Sequence, residues 1–168
     1  MRTPHIHVVL FEPEIPQNAG NIARTCAVVG ATLHLVEPLG FRPTQRNIRR
    51  AGLDYWDEVE IIYHPSTQAF IEGRLKTADK MKNAFFFTGQ TEHIYTSIDF
   101  PQVVDQACEK ELFLIFGRES AGIDPDILAQ FSTQCLRIPM RQGLRSLNLS
   151  NAVAVGVYEI IRQFQMLG

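Results

Sequence analysis

Short apolar, β-branched or aromatic runs alternate along the chain with helix-like segments. Most of the runs are continuous rather than strictly alternating, which is typical of strands that are covered on both faces. They predict six strands: His7–Phe11, Leu33–Val36, Val59–Tyr63, Ala84–Thr88, Leu112–Phe116 and Cys135–Ile138. The segments between them predict five helices, at about Asn18–Val29, Ser66–Lys76, Pro101–Glu109, Pro125–Gln130 and Ser150–Gln165. Gly30 follows the first of these helices and is suited to end it.

The alternation of strands and helices over the whole length indicates an α/β fold with a largely parallel sheet and helices beside it. The 168 residues are enough for one ordinary domain with its own core. The sequence contains no internal repeat, low-complexity tract or Gly/Ser-rich linker. We therefore expect a single domain over residues 1–168.

Composition indicates a cytoplasmic protein. Hydrophobic residues make up 45% and charged residues 20% of the chain, close to the average for globular proteins. The three cysteines, Cys26, Cys108 and Cys135, are far apart and fit a reducing compartment better than a disulfide framework. No apolar run approaches the roughly 20 residues that span a bilayer, and the N-terminus does not read as a secretory signal.

Charge neither requires nor excludes a nucleic acid partner. The formal net charge of −2 gives no overall positive field. Local arginine clusters could still bind phosphate. Arg42, Arg46, Arg49 and Arg50 would form one stripe on a helix, and Arg137, Arg141 and Arg145 form a second cluster. An ordinary solvated surface is an equally good interpretation of either cluster.

The loops after the predicted strands are where chemistry is expected, because ligands of parallel sheets bind beyond the carboxyl ends of the strands. Four such loops have an unusual composition: residues 12–21, 88–91, 117–122 and 139–151. The last is long, polar and irregular, as functional loops often are.

Several common enzyme classes are disfavoured by what these loops lack. The first loop has an isolated Gly20 rather than GxGxxG, and the chain has no Walker A sequence and no GxSxG elbow. The histidines form no recognised metal set, and a structural role suits His5 and His7 better than metal binding. We expect chemistry that uses polar side chains and backbone groups, with no metal ion.

Three stretches of sequence are more specific. They read NAGNIAR at Asn18–Arg24 with TCA after it, LIFGRESAG at Leu114–Gly122, and IPM at Ile138–Met140 followed by RSLNLSNAV at Arg145–Val153. In this order and at these distances they resemble the motifs of the SPOUT (SpoU–TrmD) RNA 2′-O-methyltransferases, and within them the small TrmL type. The resemblance covers nearly the whole chain.

The resemblance implies a homodimer in which the C-terminal segment of each chain passes through a loop as a trefoil knot. The knot forms a pocket for S-adenosylmethionine. By position in the motifs, the implied cofactor-binding residues are Phe87, Thr88, Gly117, Ile138, Met140, Ser146 and Leu147. The last predicted helix is apolar around much of its circumference, which independently indicates burial on more than one side.

The resemblance also implies a set of catalytic residues: Arg24, Asn18, Glu119, Ser146 and Asn148. For Arg24 we favour contact with an RNA phosphate and stabilisation of a developing alkoxide, because a guanidinium keeps its proton at ordinary pH. Asn18 would be its companion, Glu119 would organise the pocket or an RNA contact, and Ser146 with Asn148 would position the ribose.

The residue types alone leave simpler interpretations open at several of these positions. Phe87, Ile138 and Leu147 could pack in the core like most apolar side chains. Ser150 and Asn151 are favoured as helix N-caps. Arg24 could be an ordinary surface arginine.

The small members of the family that this chain resembles methylate the 2′-oxygen of nucleotide 34, a cytidine or modified uridine at the wobble position of leucine tRNAs. The dimer itself would bind the tRNA, and the candidate residues are Arg42, Arg46, Arg49, Arg50 and Arg145. Arg118 stands where related chains often carry proline, and residues 142–144 are also variable, so the nucleotide preference is less constrained than the reaction.

Three alternatives compete with this interpretation. One is a SPOUT methyltransferase for another tRNA or rRNA nucleotide, and another is a non-catalytic RNA-binding dimer with the same fold. The third, a nucleotide-dependent oxidoreductase, is disfavoured by the missing GxGxxG motif.

Overall fold

The computed structural model describes residues 3–43, 56–144 and 146–166. Its centre is a six-stranded sheet with the order β3-β2-β1-β5-β4-β6, in which all the paired strands are parallel. The strands are β1 His5–Phe11, β2 Thr32–Val36, β3 Ile61–His64, β4 Ala84–Phe87, β5 Glu111–Phe116 and β6 Cys135–Leu136. The predicted α/β class and parallel sheet are confirmed, and every predicted strand is present to within a few residues.

Six α-helices connect or flank the strands in the described ranges. They are α1 Pro16–Val29, α2 Thr67–Arg74, α3 Ala78–Lys82, α4 Phe100–Asp105, α5 Pro125–Gln130 and α6 Leu149–Phe164. The five predicted helices are confirmed, although α4 ends earlier than predicted, and the short polar α3 was not predicted. Gly30 ends α1 in the left-handed conformation, with φ of 71°, as its position in the sequence predicted.

The sheet is buried on both faces, which explains its continuous apolar strands. Alternate strand residues point to opposite sides, so that Val8 and Leu10 belong to one apolar cluster and Val9 and Phe11 to the other. Residues of α1, α4 and α6 pack in the first cluster, and residues of α2 and α5 pack in the second. The core thus has two layers of helix around one sheet.

Helix α6 lies close against the sheet behind the carboxyl ends of β4 and β5. At Gly156, a Cβ atom would lie 2.9 Å from the ring of Phe87, and that ring stacks on Phe116 with centroids 4.7 Å apart. Because Gly156 has no side chain, α6 can approach these two rings directly. The loop that enters α6 is therefore held next to the loops that leave β4 and β5.

No helix in the described ranges combines the length and the apolar character needed to cross a bilayer. Cys26 and Cys135 are buried thiols, and burial raises the pKa of Cys26 to about 12.

Candidate functional site

A cleft of about 830 Å³ opens at the carboxyl edge of the sheet. Its walls come from the loops after β4, β5 and β6 and from the first turns of α1 and α6. The lining residues are Ile15, Asn18, Phe87–Gln90, Phe116–Ile123, Ile138, Met140, Ser146–Leu149 and Ala152. This is where a parallel sheet presents its ligand sites, and the volume is in the range of small-molecule and cofactor pockets.

The cleft brings together every residue that the sequence proposed for cofactor binding. Phe87, Thr88, Gly117, Ile138, Met140, Ser146 and Leu147 all line it. Phe87 is buried, whereas Met140 and Leu147 are 37% and 40% exposed, respectively. Plain core packing, the alternative interpretation, is therefore disfavoured for Leu147. The binding roles themselves remain predictions.

Gly117 is required for a reason that the sequence did not reveal. A Cβ atom here would lie 2.2 Å from the carbonyl carbon of Gly122. The backbone groups of Arg118 and Gly122 bond to each other in both directions, at 3.1 and 2.8 Å, and Gly122 has φ of 70°. The loop after β5 thus folds back on itself as a tight hairpin. It is this hairpin backbone that excludes a side chain at Gly117.

Asn18, Glu119 and Asn148 form one hydrogen-bonded chain across the cleft wall. The amide nitrogen of Asn18 donates to Glu119 Oε1 at 3.0 Å, and the Asn148 amide nitrogen donates to Asn18 Oδ1 at 2.9 Å. Glu119 also accepts from the backbone nitrogens of Glu14, at 2.8 Å, and Ile15, at 3.2 Å. Each of the three sequence motifs contributes one residue, so the structure joins segments more than 100 positions apart.

Glu14 and Ser120 make a second contact between the same two loops. The Glu14 carboxylate accepts from the Ser120 backbone nitrogen and from its hydroxyl, both at 2.8 Å. The Ser120 hydroxyl, together with its backbone N–H, lowers the pKa of the Glu14 carboxyl group. Next to this contact, Arg118 pairs with Glu12 at 3.2 Å. Side chains of the loop after β1 therefore contact side chains of the loop after β5 on both sides of Glu119.

The N-cap of α6 is Asn148, and not Ser150 or Asn151 as one interpretation of the sequence had it. Asn148 Oδ1 accepts from the Ser150 backbone nitrogen at 2.9 Å and from the Ser150 hydroxyl at 2.7 Å. Asn148 therefore caps the helix through its oxygen and holds Asn18 through its nitrogen. The cap prediction was wrong because helix α6 begins one residue earlier than the pattern suggested.

Arg24 does not line the cleft of its own chain. It lies on the exposed side of α1, six positions after Asn18, and at about 100° per residue the two side chains point about 120° apart. Arg42 is exposed. The other proposed RNA-binding residues, Arg46, Arg49, Arg50 and Arg145, lie outside the described residues.

Sequence reasoning missed Ile15, Glu14 and Ser120 as parts of the site. All three belong to loops that the sequence marked as unusual, so their general location was predictable. Their partners were not, because each contact joins residues from separate strands and no local motif specifies it.

The cleft suits a nucleoside-type cofactor. Phe87, Ile138, Met140 and Leu147 provide apolar surface, and Thr88, Ser146 and loop backbone provide polar groups. Such a mixture of apolar walls and a few polar groups is typical of cofactor pockets. Within the described ranges, no group of three or more His, Cys, Asp or Glu side chains is arranged to hold a metal ion.

Comparison with known proteins agrees with this geometry. The model of the SpoU rRNA Methylase family matches residues 5–158. A Yersinia pestis protein named tRNA (cytidine(34)-2′-O)-methyltransferase is 42% identical over 159 residues, which are 94% of this chain and 93% of that protein.

Two solved structures share the fold. One, described as giving structural insights into the 2-OH methylation of C/U34 on tRNA, has a TM-score of 0.82 and 41% identity, and the match covers 96% of this chain and 97% of that one. An AdoMet-bound rRNA methyltransferase from Sinorhizobium meliloti has a TM-score of 0.80 and 25% identity, with 99% of this chain and 59% of that one covered. The resemblance seen in the sequence motifs is confirmed, and the chain belongs to the SpoU rRNA methylase family of SPOUT proteins.

Proposed function

We propose that this protein is an S-adenosylmethionine-dependent tRNA 2′-O-ribose methyltransferase that modifies nucleotide 34, a cytidine or a modified uridine, in leucine tRNAs. The observation that carries the proposal is the chain of hydrogen bonds from Glu119 through Asn18 to Asn148, which gathers all three family motifs at one cleft. The name of the Yersinia pestis relative supports the choice of nucleotide. A cytoplasmic location is part of the proposal.

One end of the cleft would hold the cofactor. Phe87, Ile138, Met140 and Leu147 would enclose the adenine and the carbon chain, and Thr88 and Ser146 would offer hydroxyl groups to its polar atoms. S-adenosylmethionine would supply a methyl group that is already activated on a sulfonium centre. The chain's own contribution is then to align the ribose oxygen with that methyl group and to exclude water.

The other end, formed by Ile15, Asn18, Glu119 and Asn148, would receive the target ribose. Glu119 already accepts two backbone N–H groups and the Asn18 amide. Because these contacts hold its carboxylate in place, we assign Glu119 and Asn18 as positioning residues rather than as proton acceptors. Asn148 and Ser146 would orient the ribose, and a phosphate or water would take the proton.

A homodimer would give Arg24 a catalytic position. Arg24 and Val28 are one turn apart on the exposed side of α1, and Val28 is 56% exposed. Tyr158, on the neighbouring helix α6, is 50% exposed. These apolar side chains suit a contact with a second copy, which would carry Arg24 of one protomer toward its partner's cleft to stabilise the alkoxide. The C-terminal knot implied by the family is part of this proposal.

Tritiated methyl transfer to purified leucine tRNAs tests the proposal, with a matched tRNA that carries 2′-deoxycytidine at position 34 as the control. We expect label on the normal tRNA and none on the control. Label that persists on the control would place the methylation at another nucleotide. Binding of S-adenosylhomocysteine without label on any tRNA or rRNA would overturn the proposed enzyme in favour of a non-catalytic RNA-binding protein.

A further inference from the structure

Arg118 lies between two cavities. It follows β5 and lines both the large cleft and a second cavity of about 270 Å³. The second cavity is formed by Phe11, Glu12, Thr67, Gln68, Arg118, Gly122–Asp124 and Ile127. Arg118, Gly122 and Ile123 are common to both. The hairpin at residues 117–122 thus forms the wall between the cavities and carries this guanidinium at its rim.

The charge at this rim is distinctive. Among the described residues that line the cleft, Arg118 is the one basic side chain, and Glu119 is the one acidic side chain. Glu119 is occupied by three hydrogen bonds. An RNA that presents a ribose 2′-hydroxyl to the cleft also brings a 3′-phosphate, attached to the neighbouring ribose carbon. A cation at the rim is the partner that such a phosphate requires.

The contact between Arg118 and Glu12 can be exchanged for a phosphate. It joins one guanidinium nitrogen, Nη1, to one carboxylate oxygen at 3.2 Å, and the two side chains are 40% and 28% exposed. Pairs in such exposed settings are weak, and a guanidinium has five N–H donors in a fork that matches phosphate oxygens. Glu12 lines the second cavity but not the large cleft, so a phosphate in the cleft would draw the guanidinium away from it.

We propose that Arg118 binds a phosphate next to the target ribose, and that its guanidinium leaves Glu12 for that phosphate when RNA binds. This inference rests on the proposed RNA substrate. It adds a substrate contact to that function and assigns the contact to the cleft's own chain.

Three variants separate this role from a merely structural one. Arg118→Gln removes the charge and the ion pair, Arg118→Lys keeps the charge, and Glu12→Gln removes the ion pair but keeps the guanidinium. The measurement is the dissociation constant for leucine tRNA at several salt concentrations, together with the affinity for S-adenosylhomocysteine as a test of an intact cleft.

We expect Arg118→Gln to weaken tRNA binding by about three- to tenfold at low salt and to reduce the slope of log affinity against log salt by roughly 0.7 to 1, the contribution of one phosphate contact. Arg118→Lys should retain the slope. The Glu12→Gln variant should bind tRNA at least as tightly as the parent, because it keeps the guanidinium of Arg118. S-adenosylhomocysteine should bind all three variants like the parent.

Equal losses in Arg118→Gln and Glu12→Gln would overturn the inference, because both variants break the ion pair. An unchanged salt slope in Arg118→Gln would overturn it as well. Failure of the proposed function looks different, because the parent protein itself would then fail to methylate tRNA.

Discussion

The cleft network and a row of histidines on the other face of the sheet are two polar networks built in opposite ways. His34 lies 2.9 Å from both His7 and His64, ring nitrogen to ring nitrogen, and the row crosses β1, β2 and β3. His7 and His34 are 4% and 0% exposed. Asn18 is also buried, but Glu119 and Asn148 reach solvent at the mouth of the cleft. One network serves the core, and the other holds loops around a cavity.

The histidine row is consistent with three neutral rings. His7 Nε2 faces the Glu111 carboxylate at 3.5 Å, so we infer that this nitrogen carries the proton. His7 Nδ1 then accepts from His34 Nε2, and His34 Nδ1 accepts from His64 Nε2. Phe113 stacks on His7 with centroids 4.4 Å apart. Burial lowers the pKa of His7 to about 3 and that of His34 to about 2.

The two networks should differ in the property of the protein that suffers when their hydrogen bonds are broken. Two ring-to-ring hydrogen bonds join the row beneath aromatic rings, so its failure should appear as lost stability. The cleft network lines the wall of the cleft, so its failure should appear as lost activity. Three substitutions or conditions test this division.

Asn18→Asp should have the largest effect, on activity. The new carboxylate oxygen would replace the amide nitrogen that now lies 3.0 Å from Glu119 Oε1, and two carboxylates at that distance repel each other. We expect methyl transfer to fall by about 100-fold, the order of loss that a misplacement of about 1 Å at the reacting groups causes. The measurement is kcat/KM for tRNA, with the melting temperature recorded alongside.

Gln102→Glu is the matched control, since it makes the same amide-to-carboxylate change on an exposed side chain of α4. It should keep the parent's activity. Full activity in Asn18→Asp would show that the cleft network does not contribute to methyl transfer.

Acid should break the histidine row with the next largest effect, on stability. The unfolded histidines take up protons near pH 6.5, while the folded ones remain neutral down to about pH 3 for His7 and about pH 2 for His34. The free energy of unfolding should therefore fall as the pH drops below about 6.5, by about 1.4 kcal/mol per pH unit for each histidine. At pH 5 this amounts to about 2 kcal/mol for each.

Urea unfolding between pH 7 and pH 4.5 measures this slope, and the variant His34→Gln identifies the part that the row contributes. In this variant the slope of the unfolding free energy against pH should be smaller by about 1.4 kcal/mol per pH unit, the contribution of one histidine. The variant should still bind S-adenosylhomocysteine at pH 7, because the cleft is separate from the row. The same slope in parent and variant would show that the row does not titrate as described.

Ile15→Thr should have the smallest effect. Ile15 is the N-cap of α1, has extended backbone angles and provides no side-chain cap, yet it is 43% exposed and lines the cleft. A threonine hydroxyl could accept an N–H of the first turn, which is worth about 1 kcal/mol and about 2–4 °C in melting temperature. We expect higher stability together with a several-fold higher KM for tRNA.

Ile15→Val is the matched control for this exchange, because it has the shape of threonine without the hydroxyl. It should show no gain in stability. A threonine variant that melts below the valine variant would contradict the cap argument.

Much of the fold could be predicted because apolar runs specify buried strands directly. The cleft could be located too, since the loops of a parallel sheet meet at its carboxyl edge. The contacts within it could not. Glu14 and Ser120 are partners only because β1 and β5 are neighbours, and no local pattern encodes that pairing.

The histidine row shows the same limit. His34 and His64 carry no sequence signal. The parallel register pairs His34 with Val9 and Ile62, so that His7 and His64, each two residues away along its strand, lie diagonally across the same face. Short-range chemistry was also misjudged at Asn148, where one side chain both caps α6 and bonds to Asn18. Side chains with two roles cannot be recognised from residue preferences alone.

The most direct test of the central claim is tritiated methyl transfer to a leucine tRNA, compared with the same tRNA carrying 2′-deoxycytidine at position 34. We expect label on the first tRNA and none on the second. Equal label on both, or none on either while S-adenosylhomocysteine still binds, would contradict it.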